Sequence, residues 1–155
     1  MSERVKAALA QVLTRPPQYA LEIGCGTQPF TDFTLIHLDW DGEALRRMHS
    51  KLRRLCADAG ALPFSLNSLD LILIRHPDLA AHPISWQRAL QHLAGYLRAG
   101  ALLCTSCYEA LEWDWISEWV DSLSLASIPI SDALLPPVPL SGADRYIHLF
   151  RKVGF

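Results

Sequence analysis

The sequence carries little excess charge of either sign, no long hydrophobic run and only four cysteines, and each shortage removes a class of function. Fourteen Lys and Arg against sixteen Asp and Glu leave a net charge of −2, which supplies no global attraction to nucleic acid or to an anionic membrane surface. No apolar stretch approaches the roughly 20 residues that cross a bilayer. The opening residues, Met-Ser-Glu-Arg-Val-Lys, put charges where a secretory signal needs an apolar centre, so a cytoplasmic protein with no membrane association is expected. Four cysteines in such a chain do not imply disulfides. Internal repeats and low-complexity tracts are also missing, and the proline cluster Pro136-Pro-Val-Pro139 reads as a rigid loop before the last strand. With 155 residues, half of them hydrophobic, the chain can bury one sizeable core, which points to a single domain over 1–155.

What is present is an alternation of apolar runs with helical patterns. Val5, Ala8, Leu9 and Val12 recur at helical spacing and predict a helix over 2–14, with Ser2 as N-cap and Pro16 and Pro17 as its stop. Strands are predicted at 18–24, 34–39, 53–57, 69–75 and 101–107, and helices at 41–51, 85–97 and 111–123. Two last strands are predicted at 125–130 and 145–152. Parallel strands joined by helices form a doubly wound α/β sheet. Its ligand crevice opens at the carboxyl ends of the strands beside the topological switch point, where Glu22, Asp39, Asp58 and Arg75 fall.

The segment Ala20-Leu-Glu-Ile-Gly-Cys-Gly-Thr27 runs an apolar strand through an acidic residue into a two-glycine turn. Lacking Cβ atoms, Gly24 and Gly26 let a ligand approach the main chain. A dinucleotide fingerprint would need glycine where Pro29 stands, and a P-loop would need a Gly-Lys-Ser/Thr ending that is absent. Downstream come Thr34-Leu-Ile-His-Leu-Asp39, then Arg54-Leu-Cys-Ala-Asp-Ala59, Leu62-Pro-Phe64 and Ser68-Leu-Asp-Leu-Ile-Leu-Ile74. Leu97-Arg-Ala-Gly-Ala-Leu-Leu103 closes the series. In this order the motifs resemble class I S-adenosylmethionine (SAM) dependent methyltransferases over about residues 17–108. The resemblance implies a Rossmann-like, mostly parallel sheet with an antiparallel pair at its C-terminal edge. It implies SAM as cofactor, with contacts from Glu22, Gly24, Cys25, Gly26, Asp39, Trp40, Asp58, Ala59 and Arg75. Of these, Glu22 would meet the methionine portion, Asp39 the ribose hydroxyls, and Asp58 with the Ala59 amide the adenine.

Two departures mark the chain. Gln28 stands where the family has its third glycine, with Pro29 behind it, so the helix that normally follows the loop cannot start there. Only Thr27–Phe33 separates the loop from the second strand, too short for a helix with its connections, and a turn is expected in that layer. Elsewhere the bland readings hold. Cys104 and Cys107 lie three apart on one strand and so face opposite sides; they read as buried thiols rather than a zinc or redox pair, and no metal site is expected. The basic run Arg46, Arg47, Lys51, Arg53 and Arg54 reads as a solvated face. Trp115 and Trp119 are expected to pack on the sheet, with Trp113 turned toward a pocket or a dimer contact.

In this chemistry SAM carries the activated methyl and the protein orients the acceptor. The helper base, where one is needed, belongs in the loop after the fourth strand, here Arg75-His-Pro-Asp78, which makes His76 the candidate catalytic residue and Asp78 its orienting partner. The Asn/Asp-Pro-Pro-Tyr/Phe signature of adenine-amine methylation is absent there, which disfavours DNA adenine methylation, and nucleic acid is not the expected partner. The expected activity is methyl transfer to a small molecule or to an exposed group of a larger partner. The segments before the first strand and after the fifth are short, so a second copy or a partner subunit is expected to close the site. The alternative is a noncatalytic SAM-binding or scaffold subunit, while a nicotinamide-linked oxidoreductase is disfavoured by Pro29.

Overall fold

The structure, a computed structural model, describes residues 3–26, 28–33, 35–138 and 144–154. The expected N-cap Ser2, loop residue Thr27, strand residue Thr34 and Pro139 lie outside them. Seven strands form one sheet in the order β3-β2-β1-β4-β5-β7-β6. They are β1 (Ala20–Ile23), β2 (Leu35–Asp39), β3 (Arg53–Cys56), β4 (Leu69–Arg75), β5 (Leu97–Cys107), β6 (Leu125–Ile128) and β7 (Tyr146–Lys152). The first five are parallel, β7 runs antiparallel to β5, and β6 runs antiparallel to β7. The expected fold class and its antiparallel edge pair are therefore observed. The central strands are buried on both faces, as continuous runs such as Leu71-Ile-Leu-Ile74 require. Strand order reverses between β1 and β4, which sets the switch point there.

Among the described residues the α-helices are α1 (Glu3–Ala10), α2 (Gly42–Arg47), α3 (Pro83–Tyr96) and α4 (Ala110–Val120). α3 opens on Pro83, whose missing N–H is harmless at the first helical position. It buries Ala89, Leu90, Leu93 and Tyr96 against the sheet face that carries Leu21, Ile72, Ile74 and Leu103. α4 covers the same face through Ile116 and Val120, and its first turn is held by Glu112, whose Oε2 accepts from the Tyr108 and Glu109 amides at 3.1 Å each.

The opposite face is covered differently. α1 contributes Val5, Ala8 and Leu9, and irregular chain adds the wholly buried Phe30, with Phe33, Ile130 and Leu135 packed against the same cluster. Residues 28–33 hold no helix; the turn expected from Pro29 is what forms, and the Phe30 ring fills space on the sheet that a helix would otherwise cover.

Several boundaries differ from the expected ones. α1 stops at Ala10 rather than 14, and the Gln11 side chain instead receives the Ser131 amide at 3.0 Å and donates to the Ser131 carbonyl at 3.3 Å. α2 ends at Arg47 rather than 51, because Met48 turns extended and buries its side chain beside Cys25 and Leu45. β5 starts at Leu97 rather than 101: Leu69 pairs with Leu97 and Leu71 with Leu102, so an irregularity absorbs the Ala99-Gly100 turn, where Gly100 takes φ +80°.

Candidate functional site

The carboxyl ends of β2, β1, β4 and β5 carry a row of polar side chains on the α1-bearing face, because parallel register sets Glu22 beside His37 and Arg75 beside Ser106. Glu22 has no solvent exposure. Its carboxylate accepts from the Phe30 amide at 3.1 and 2.9 Å, meets His37 Nδ1 at 2.6 Å and pairs with Arg75 Nη1 at 3.2 Å. The same Arg75 nitrogen donates to the Gln28 carbonyl at 2.7 Å. Glu22 and Arg75 thus lock the chain after the glycine turn onto the sheet from behind. Arg75 Nε and the Ser106 hydroxyl are buried without a hydrogen-bond partner among the described residues.

In front of this row lies the turn itself. Gly24 has φ +73° and Gly26 φ +53°, and a Cβ on Gly24 would stand 3.1 Å from the Arg75 carbonyl, so both backbone shape and space call for glycine there. Asp39, nearly buried, ties the turn to the end of β2: its Oδ2 accepts from the Gly26 amide at 3.0 Å and its Oδ1 from the Asp41 amide at 2.9 Å. Trp40 next to it is 81% exposed. Asp58 and Ala59 sit past the end of β3, Asp58 exposed, with its Oδ1 accepting from the Gly60 amide at 2.7 Å. The Cys25 thiol points inward against Met48 Sδ at 3.8 Å. Burial, then the charges of Glu22 and Asp39, push it up to about 12, so the thiol stays protonated at neutral pH.

At the end of β4 the backbone turns sharply. His76 takes φ +49°, uncommon for a residue with a side chain, while its amide stays bonded to the Ser106 carbonyl at 2.9 Å. Its ring lies against Tyr108, centroids 4.2 Å apart, and its Nε2 stands 2.9 Å from Asp144 Oδ1. That separation would make an ion pair only with a protonated imidazole, and the angles are not those of a hydrogen bond. The expected partner Asp78 is occupied elsewhere, capping the following turn through the Ala81 amide at 3.1 Å. Asp144 takes its place, held in turn by α1, whose Arg4 Nε donates to the Asp144 carbonyl at 3.2 Å.

The sequence reading missed His37, Asp144 and Tyr108. A lone histidine inside Leu-Ile-His-Leu-Asp is a legible signal, since a buried imidazole demands a partner. Asp144 and Tyr108 reach His76 only through the return of β7 and the end of β5. Cys104 and Cys107 are buried on opposite faces, and burial raises both thiols, Cys107 to about 12. Trp115 and Trp119 stack at 6.1 Å over the core. Trp113 is half-buried and meets the rings of His148 and Tyr146 rather than a pocket. Arg46, Arg47, Lys51, Arg53 and Arg54 are exposed. Among the described residues no helix is long and apolar enough to cross a membrane.

Residues 21–105, more than half of the chain, match the family described as methyltransferase domain. No curated protein shows significant similarity. Solved structures with the same fold include a protein of Pyrococcus horikoshii at TM-score 0.76 and 10% identity, covering 97% of this chain and 88% of that one. A SAM-dependent methyltransferase of Methanosarcina mazei aligns at TM-score 0.70 and 12% identity, over 94% of this chain and 96% of that chain. A third is a chain from the Haloferax volcanii complex between the Trm112 methyltransferase activator and a methyltransferase. It aligns at TM-score 0.69 and 15% identity, over 99% of this chain and 90% of that chain. At these identities the likeness is one of fold.

Proposed function

The chain belongs to the methyltransferase-domain family, and from that premise we propose that it transfers the methyl group of SAM to a nucleophilic atom of a small molecule or of an exposed group on a larger partner. The observation that carries this reading is Asp39, a carboxylate at the end of β2 joined to a glycine turn at the switch point. A carboxylate accepts two hydroxyls at once, which suits a ribose. Asp39 would hold that ribose, Trp40 would offer its open ring to the adenine, and Asp58 with the Ala59 amide would address the adenine edge. The main chain of Gly24, Cys25 and Gly26 would face the methionine portion. Glu22 and Arg75, sealed behind the turn, act as positioning residues that keep the loop in its binding shape.

When bound, SAM supplies a methyl group already activated on a sulfonium, so the protein's part is to orient the acceptor and exclude water. Where the acceptor must lose a proton, His76 takes it. Asp144, 2.9 Å from Nε2, would hold the ring in place at the end of β4. Tyr108, which lies over the ring, is the side chain that an entering acceptor displaces. Trp40, Tyr108 and Leu111 leave apolar surface open around this end of the sheet. A second subunit covering it completes the site in this reading, and the Haloferax methyltransferase paired with an activator offers a precedent of that kind.

Calorimetric titration with SAM, S-adenosylhomocysteine and NAD tests the cofactor. Binding of the first two without NAD is expected; no heat or thermal shift with either sulfur ligand at millimolar concentration overturns the assignment. A screen of metabolites and extract fractions with methyl-labelled SAM then supplies the acceptor. With it, His76→Ala should lower turnover by about 10²- to 10⁴-fold and leave SAM affinity intact. Full activity in that variant removes His76 from the mechanism.

A further inference from the structure

A concavity lies at the opposite end of the sheet from the glycine turn. It measures about 400 Å³, within the usual range for small-molecule pockets of roughly 300–1,000 Å³. Its walls are the chain between α1 and β1, the start of β4, the Ala99-Gly100 turn of β5 and the end of β7, which runs antiparallel and so brings its carboxyl end here. Three arginines line it: Arg15, Arg98 and Arg151. In a chain of net charge −2 this is a local concentration of positive charge, and a concave wall focuses the field it makes.

The single carboxylate in the lining does not cancel it. Asp70 Oδ2 accepts from the Gln18 and Tyr19 amides at 2.9 Å each, pinning the chain that leads into β1, and its Oδ1 meets Arg98 Nε at 2.5 Å. Arg151 gives one Nη to the Gly100 carbonyl at 3.1 Å. A guanidinium carries five N–H donors in a planar fork, so these contacts leave most of the donors of Arg98 and Arg151 for a ligand. Arg15 is exposed on the third side. Between the arginines the lining mixes apolar side chains, Val12, Leu13, Pro16, Pro17 and Leu102, with the polar Thr14 and Gln18.

We propose that this cleft binds a small phosphorylated metabolite, a phosphomonoester or diphosphate whose oxygens are held by Arg15, Arg98 and Arg151 and whose body rests on the mixed lining between them. Planar guanidinium forks match phosphate oxygens two at a time, and three of them around one pocket favour a dianion over a carboxylate. The proposal is independent of the SAM reading, because the two sites lie at opposite ends of the strands and share no residue.

Amide NMR shifts of the full chain titrated with inorganic pyrophosphate test it, with a short single-stranded oligonucleotide as a second arm. Saturable shifts confined to the amides of residues 12–15, 18, 70, 98–102 and 151 are expected at millimolar pyrophosphate. Arg15→Ala and Arg151→Ala, both at exposed positions, should each weaken binding by roughly tenfold, with S-adenosylhomocysteine shifts at the other end unchanged. Shifts that are absent, that do not saturate, or that persist at full affinity in both variants overturn the proposal. Oligonucleotide saturating the same amides at lower concentration than pyrophosphate overturns it too, in favour of a nucleic-acid backbone. Failure of S-adenosylhomocysteine to bind bears on the cofactor alone.

Discussion

Glu22 and Asp39, both acidic residues at or near strand ends beside one glycine turn, have different environments and therefore different expected phenotypes. Glu22 is wholly buried among Arg75, His37 and the Phe30 amide, and removing one member of a buried ion pair leaves the other charge uncompensated. Glu22→Ala should cost about 3–5 kcal/mol in urea unfolding. Asp39 contacts two amides near the surface. Asp39→Ala should keep the fold by circular dichroism while lowering S-adenosylhomocysteine affinity ten- to a hundredfold, the value of about 1.5–3 kcal/mol for a charged acceptor lost to neutral donors. Equal loss of stability in the two variants would erase this distinction. Both carboxylates were legible in the sequence as strand-end acids. That one is sealed and the other is near the surface was not, because it depends on Arg75, 53 residues on from Glu22, reaching back across the sheet.

Among the elements, the stretch from Gln28 to Phe33 departs most from the family pattern, and its physics is simple. Pro29 bars a helix, so the chain covers the sheet with side chains instead, and Phe30 does most of that covering. Phe30→Ala should destabilise the protein by about 3–5 kcal/mol, as for other buried aromatic truncations. Its amide also donates to Glu22, so the loosened segment should weaken S-adenosylhomocysteine binding as well. Chemical denaturation with parallel calorimetry reads both effects; a loss below about 1 kcal/mol, the size of an ordinary surface change, would mean that the stretch is not part of the core. Helix ends were the least legible feature: α2 stops where Met48 finds the pocket beside Cys25, a contact that helical spacing does not encode.

For the molecule as a whole, His148 joins the antiparallel edge to α4. It lies against Trp113 and Phe150, 3.4 Å from the Ser117 hydroxyl and opposite Thr105 of β5. Burial lowers its pKa from 6.5 to about 4. The unfolded chain takes up this proton near pH 6.5 and the folded chain only near 4, so the unfolded state binds more protons in that window. Stability should fall as pH drops through it. His148→Phe should flatten the decline in melting temperature between pH 7 and pH 5 relative to the parent; an unchanged slope would assign the acid sensitivity to other groups.

The sequence by itself determined the α/β layout, the order of the motifs, the family and the absence of a helix after the glycine turn. These follow from local properties: apolar periodicity, the backbone freedom of Gly24 and Gly26, and the rigid ring of Pro29. Only the tertiary structure decided that Asp144 rather than Asp78 stands beside His76, that Glu22 and Arg75 are sealed together, and that three arginines distant in sequence converge on one cleft. Such pairings arise from strand order and register, which bring together residues that no local spacing relates.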